Sequence, residues 1–145
     1  MSAREAGERL AAVVGKVAPE DPAVHEMTAT ILASIDPPRA IEAWREVVRL
    51  AEARNDHRTS ARAWAILGDL QGGDEAEAAW RRALELDPLQ ADALGGLARA
   101  AAARQDHVVA ADLLERMRGI GLPQQLAARC ELMLARAYLS LDRID

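Results

Sequence analysis

Three histidines (His25, His57 and His107), one cysteine (Cys130) and the serines Ser60 and Ser140 are the side chains here that could do chemistry. A zinc-type site needs His, Cys or carboxylate ligands at short fixed spacings. The three histidines are far apart in the chain and have no such partners at ligand spacing, so no metal site is expected. Cys130 has no neighbouring His to draw off its proton, which a thiolate nucleophile requires. It lies in an apolar helical stretch, where a thiol behaves as a small hydrophobe. Being the only cysteine, it also excludes an internal disulfide. Ser60 and Ser140 lack the Gly-x-Ser-x-Gly setting of a nucleophile elbow. No Lys-Ser/Thr follows Gly72-Gly73 or Gly95-Gly96, so neither pair is a phosphate loop. Asp74 and Glu75 fall in a first helical turn, where the helix dipole favours acids. His57 and His107 follow Asp56 and Asp106 at helix starts, where turn and capping roles suffice. These residues predict a protein that is not an enzyme and uses no cofactor or metal.

The elements that carry these residues are helical. The chain has 145 residues, enough for one domain with a continuous core. Half of it is hydrophobic, mostly Ala and Leu, with no Phe, one Tyr and three Trp. Ala, Leu, Glu and Arg are strong helix formers, and no alternating run of strand length occurs. The net charge is -5, with Arg and Asp/Glu interspersed along every segment rather than gathered in a basic stripe. Nucleic-acid affinity rests largely on phosphate neutralisation, so DNA or RNA is not an expected partner. Lys16 is the only lysine, and with the heavy use of Ala this suggests a GC-rich bacterial genome. No run approaches the ~20 apolar residues of a membrane span. The N-terminal stretch carries acids and does not read as a signal peptide. A cytoplasmic protein with no membrane partner is expected.

Prolines, glycines and Asn-Asp or Gln-Asp pairs divide the chain into eight helical segments, roughly 2–17, 22–35, 38–54, 58–71, 74–86, 90–104, 107–118 and 124–141. Short connections make sequential helices pack as antiparallel hairpins. A theme recurs in alternate segments: a small Ala, a large apolar residue four later, then another apolar residue three later. It reads Ala6/Leu10/Val13, Ala40/Trp44/Val47, Ala76/Trp80/Ala83 and Ala110/Leu114/Met117, with leading alanines 34, 36 and 34 residues apart. Helical spacing puts each trio on one face. The intervening segments carry Val24/Met27/Thr28, Trp64/Leu67/Gly68 and Leu94/Leu97/Ala98, and the last supplies Leu134/Ala135/Tyr138.

Trp64-Ala-Ile-Leu67-Gly68 resembles the opening of the tetratricopeptide repeat motif. Ala76-Glu-Ala-Ala-Trp80-Arg-Arg-Ala83-Leu-Glu-Leu-Asp87-Pro88 resembles its second helix and closing proline. The stretch Ala40 to Gly68 is similar to the longer-helix variety found in signalling adaptors. The resemblance implies an all-α, right-handed α-solenoid of antiparallel helix hairpins, about eight helices in a single domain. Its divisions would be a half repeat or cap (1–20), repeats at 21–54, 57–90 and 91–123, and a half repeat or final helix (124–145). Three departures stand out. The hairpin around Gly72-Gly73 is about one turn short and is expected to be stunted. Gly119–Pro123 adds residues before the last helix. Thr28 and Ile31 replace the usual small and aromatic residues in the first hairpin. The last helix carries Leu126, Cys130, Met133, Leu134, Ala137 and Leu141, too apolar for a solenoid cap. That points to a piece of a larger protein or to a docking face, a homo-oligomer through the C-terminal helix being one option.

In tetratricopeptide repeats the first helix of each hairpin lines the concave, ligand-holding face. The resemblance therefore implies a non-catalytic scaffold or adaptor that binds a protein, as an extended peptide or a helix. Its inward residues would be His25, Ala29, Ala33, Ala65, Asp69, Gly95, Arg99, Ala102, Arg129, Met133 and Arg136. A floor of Ala and Gly permits close backbone approach. Gly95-Gly96 costs ~1 kcal/mol per glycine relative to Ala in a helix, which either a binding role or a tight contact between hairpins would explain. Arg99, Arg129 and Arg136 either pair with a ligand's carboxylates or, the commoner fate, with nearby acids such as Asp92 and Glu131. His25, Ala29, Asp69 and Gly95 stand where chaperone co-factors of the family carry Lys and Asn to clamp a C-terminal carboxylate, so that role is not expected. Trp44, Trp64 and Trp80 fall at core positions. A self-associating assembly subunit and an RNA-binding helical-repeat module are the alternatives, the second opposed by the acidic charge.

Overall fold

A computed structural model describes residues 1–17 and 19–142. The sequence divisions 1–20 and 124–145 therefore each include positions (18, and 143–145) outside the described residues. Among the described residues there are eight helices and no strand: α1 (Ala3–Val17), α2 (Pro22–Ile35), α3 (Pro37–Ala53), α4 (His57–Leu70), α5 (Gly73–Leu86), α6 (Ala91–Ala103), α7 (His107–Arg118) and α8 (Gln124–Asp142). Local chemistry sets their ends. The Asp21, Asp56 and Asp106 carboxylates accept from the backbone N–H of Ala23, Thr59 and Val109, capping α2, α4 and α7. Asn55 and Gln105 adopt φ of 55° and 61°. Around them Asp56 N–H reaches Ala51 C=O at 2.9 Å and Asp106 N–H reaches Ala101 C=O at 2.9 Å, the 6→1 bond of a Schellman stop. Each of these pairs thus closes one helix and opens the next, which is why α3 runs into α4, and α6 into α7, with almost no loop.

The helices form two layers. Each packs on its sequence neighbours, and α4 also touches α6. Ion pairs join helices of like parity: Arg39–Glu8 (α3–α1), Arg62–Glu26 (α4–α2), Arg82–Glu52 (α5–α3) and Arg99–Asp69 (α6–α4). Odd helices therefore lie side by side in one layer and even helices in the other. This arrangement is an all-α solenoid of antiparallel hairpins. The trios led by Ala40, Ala76 and Ala110 are buried throughout, small residues admitting the facing helix and large ones filling the gap.

Trp80 of α5 is the wedge between α4 and α6. Its indole N–H donates to Ala65 C=O and to Asp69 Oδ1, both at 3.2 Å. A Cβ on Gly68 would stand 2.3 Å from the Trp80 ring, and so would one on Gly96. These glycines are where the ring passes between neighbouring hairpins, and burying it contributes up to about 4 kcal/mol from area alone. Gly96 thus serves a packing contact. A Cβ on Gly95 would have its nearest neighbours at 3.6 Å.

Several expectations need correcting. Helices α4 and α5 keep 14 residues each, while α6 and α7 have 13 and 12, so the Gly72-Gly73 hairpin is not stunted. Helix α4 begins well ahead of Trp64, and the shortening falls on the tip, where Gly73 takes φ +60°. Val13 is 57% exposed and Met27 and Ile31 are exposed, because α1, at the end of the stack, covers little of α2. The apolar face expected to be open on α8 is largely used. Cys130, Leu134 and Ala137 are buried, and Leu126, Met133 and Leu141 pack partly buried against the same core. A different set on α8 is exposed: Leu132, Tyr138 and Leu139.

Candidate ligand groove

The even-helix layer opens a groove between α6 and α8, formed by two adjoining cavities that share Arg99 and Met133. The first, about 220 Å³, is lined by Asp69, Ala91, Asp92, Gly95, Arg99, Met117, Leu126, Arg129 and Met133. The second, about 390 Å³, is walled by Ala98, Ala102, Ala103, Ala110, Leu114, Met133 and Ala137, with Arg99, His107, Arg136 and Ser140 as its polar groups. The floor is wide because alanines on α6 leave room where leucines would fill it. The groove brings together Asp69, Gly95, Arg99, Ala102, Arg129, Met133 and Arg136 of the residues expected to face inward.

The others lie elsewhere. Ala29 and Ala65 are 0% exposed. Ala29 packs in the cluster around Trp44 and Val47, and Ala65 packs against Trp80, so neither methyl can reach a guest. Ala33 is half-buried and lines neither cavity. His25 lines a separate cavity of about 200 Å³ with Thr28, Arg39 and Glu46, and its Nε2 lies 3.0 Å from Pro19 C=O. These four lie on α2 and α4, away from the gap between α6 and α8 into which both cavities open.

The arginines divide by partner. Arg99 Nη2 lies 3.6 Å from Asp69 Oδ1, and its guanidinium sits 5.9 Å from the Trp80 ring centroid. Asp69 keeps 44% of its side chain exposed, yet burial against the wedge raises its carboxyl above the ordinary range. Asp92 pushes the same way, while Arg99 and the Trp80 N–H pull it back. Glu131 is taken by Arg118 at 2.9 Å rather than by a groove arginine. Among the described residues, no carboxylate oxygen lies within 4.0 Å of Arg129 or Arg136.

The odd-helix layer has a groove that the sequence did not reveal. It lies between α3 and α5, measures about 660 Å³, and is lined by Arg45, Val48, Arg49, Glu52, Trp64, Leu67, Gln71, Glu75, Ala78, Ala79 and Arg82. Trp64 is only half-buried there, its N–H donating to Glu52 at 3.1 Å, so it differs from the core residues Trp44 and Trp80. Cys130 is buried with its Sγ 3.4 Å from Leu114 C=O, and burial pushes the thiol up, away from reactivity. Among the described residues, no group of three or more His, Cys, Asp or Glu is placed to hold a metal ion, and no helix is long and apolar enough to cross a membrane.

No protein-family model matches this chain, and no curated protein matches it. Solved structures do. A crystal structure of MamA protein superposes with a TM-score of 0.61 at 23% identity, covering 89% of this chain and 74% of that one. Another of MamA gives 0.62 at 21% identity, covering 95% of this chain and 88% of that one. The chain is a helical-repeat solenoid. At such identity the likeness carries the fold alone, and function must be argued from the groove.

Proposed function

We propose that this chain is a tetratricopeptide-type repeat protein acting as a non-catalytic interaction scaffold, gripping a peptide or short helix of another protein between α6 and α8. The family assignment is supported by the motif residues Trp64, Leu67, Gly68, Ala76, Trp80 and Ala83, which pack α4 on α5 and α5 on α6. The observation that carries the binding reading is the larger α6–α8 cavity: apolar-walled, open and, among the described residues, without a carboxylate, in a chain of net charge -5. Its volume falls in the range of ligand sites, roughly 300–1,000 Å³. Ala102 is exposed on its wall, so Ala102→Trp fills the cavity without disturbing the core. Affinity capture with the wild type and this variant, read by mass spectrometry, tests the reading. Partners held by the wild type are expected to be lost from the variant, and an identical partner set on both contradicts it.

A second reading, self-assembly, is favoured by the exposed Leu132, Tyr138 and Leu139 on α8. Light scattering of the purified chain decides it: a concentration-dependent oligomer that Leu132→Glu and Leu139→Glu dissolve supports self-assembly, and a monomer at all concentrations removes it.

A further inference from the structure

The groove between α6 and α8 is electrostatically lopsided, and this says what its guest must carry. At the α6 N-terminal end, Arg99 and Arg129 share their cavity with Asp69 and Asp92, so charge is balanced within the wall. Arg99 is further held by the Asp69 pair and by the Trp80 face. At the other end, Arg136 and His107 line a cavity that has no carboxylate among the described residues, none of which brings an acid within 4.0 Å of Arg136. Arg45 and Arg129 also have no acid within 4.0 Å among the described residues, but each lines a cavity that carries two carboxylates, Glu52 and Glu75 for Arg45 and Asp69 and Asp92 for Arg129. An unpaired guanidinium beside an apolar hollow offers two things to one guest, a bidentate seat for a carboxylate and a dry place for a side chain.

Resting on the scaffold reading above, we propose that the guest is an acidic peptide segment in which a bulky apolar residue is flanked by Asp or Glu. The apolar side chain enters the alanine-walled cavity against Ala102 and Met133, and the carboxylate pairs with Arg136 beside His107. A basic guest would leave Arg136 unpaired and meet no acid there. A nucleic acid would find only this short basic spot on an acidic chain, too little for phosphate-driven affinity.

The test is selection of a phage-displayed random peptide library on the whole chain, followed by calorimetry of the consensus peptide. The expected consensus places Asp or Glu next to Leu, Ile, Met or Phe. Its affinity is expected to fall about tenfold or more in Arg136→Glu, to fall less in Arg136→Lys, and to weaken as salt rises. Arg49→Glu, on the opposite layer, is expected to leave it unchanged. Arg136 is exposed, so unchanged circular dichroism serves as the folding control. Peptides that Ala102→Trp abolishes but that lack acids, or that ignore Arg136→Glu, overturn the acidic assignment while leaving the groove in place. Peptides indifferent to Ala102→Trp, or no enriched peptide at all, overturn both.

Discussion

Between α3 and α5 the odd-helix layer opens a groove of about 660 Å³, and between α6 and α8 the even-helix layer opens one whose larger cavity is about 390 Å³. The larger groove has a half-buried tryptophan, three arginines and two glutamates. There Arg49 pairs with Glu46, and Arg82 with both Glu52 and Glu85, while Arg45 has no acid within 4.0 Å among the described residues but shares its wall with Glu52 and Glu75. The Trp64 N–H is likewise satisfied by Glu52. The smaller has alanine walls and an arginine with no acid beside it. Size alone would favour the first groove, but a guest there must displace contacts the wall already makes to itself. A guest in the second meets an open arginine with no carboxylate in the same wall, among the described residues, to compete for it. Unspent donors beside apolar surface are a better guide to a binding site than volume, because a group already paired has little to gain.

The comparison breaks most severely at the wedge. Gly96→Ala puts a methyl 2.3 Å from the Trp80 ring, which must move and carry α4 and α6 with it. A loss of about 3 kcal/mol is expected from such overpacking, measured by urea unfolding, together with loss of guest binding at the even-helix groove. Gly95→Ala, with 3.6 Å to its nearest neighbours, is expected to leave stability unchanged or raise it by up to about 1 kcal/mol. Equal effects at the two positions would mean that the wedge does not set the spacing of the hairpins.

These adjacent glycines also show how far the sequence could be read. Helix number, hairpin order and the buried trios of α3, α5 and α7 follow from breakers and periodicity, because each depends on chemistry within a few residues. Which glycine of a pair touches a neighbour does not, since it depends on a ring 16 residues away. The same limit separates the inward residues. Register puts Ala65 level with Gly95, and both are buried, but only beside Gly95 does a cavity open, which counting along the helices does not give. That Arg136 lacks an acid while Arg118 takes Glu131 is likewise a matter of side-chain reach, which no spacing rule gives. The groove beside Trp64 left no trace in a pattern that treats every tryptophan as core.

A smaller change sharpens the contrast between the two ends of the even-helix groove. Burial raises the Asp69 pKa, so the folded state holds that proton more tightly than the unfolded chain does. Its contribution to stability is therefore greatest below the ordinary carboxylate range and is lost as pH rises through the raised value. Asp69→Asn removes that slope, so the variant is expected to gain on the wild type as pH rises through that window, followed by thermal unfolding. It also frees Arg99, and an acidic peptide is expected to bind about threefold tighter. A parallel pH profile with unchanged affinity would mean that Asp69 neither feels its burial nor restrains Arg99.

The most direct measurement of the central claim is amide hydrogen exchange of the full chain with and without its selected peptide. Slowed exchange is predicted at 98–103 and 133–140, on the two walls of the α6–α8 groove, with 45–52 and 75–82 unchanged. Protection confined to the latter two segments would place the guest between α3 and α5 and contradict the account.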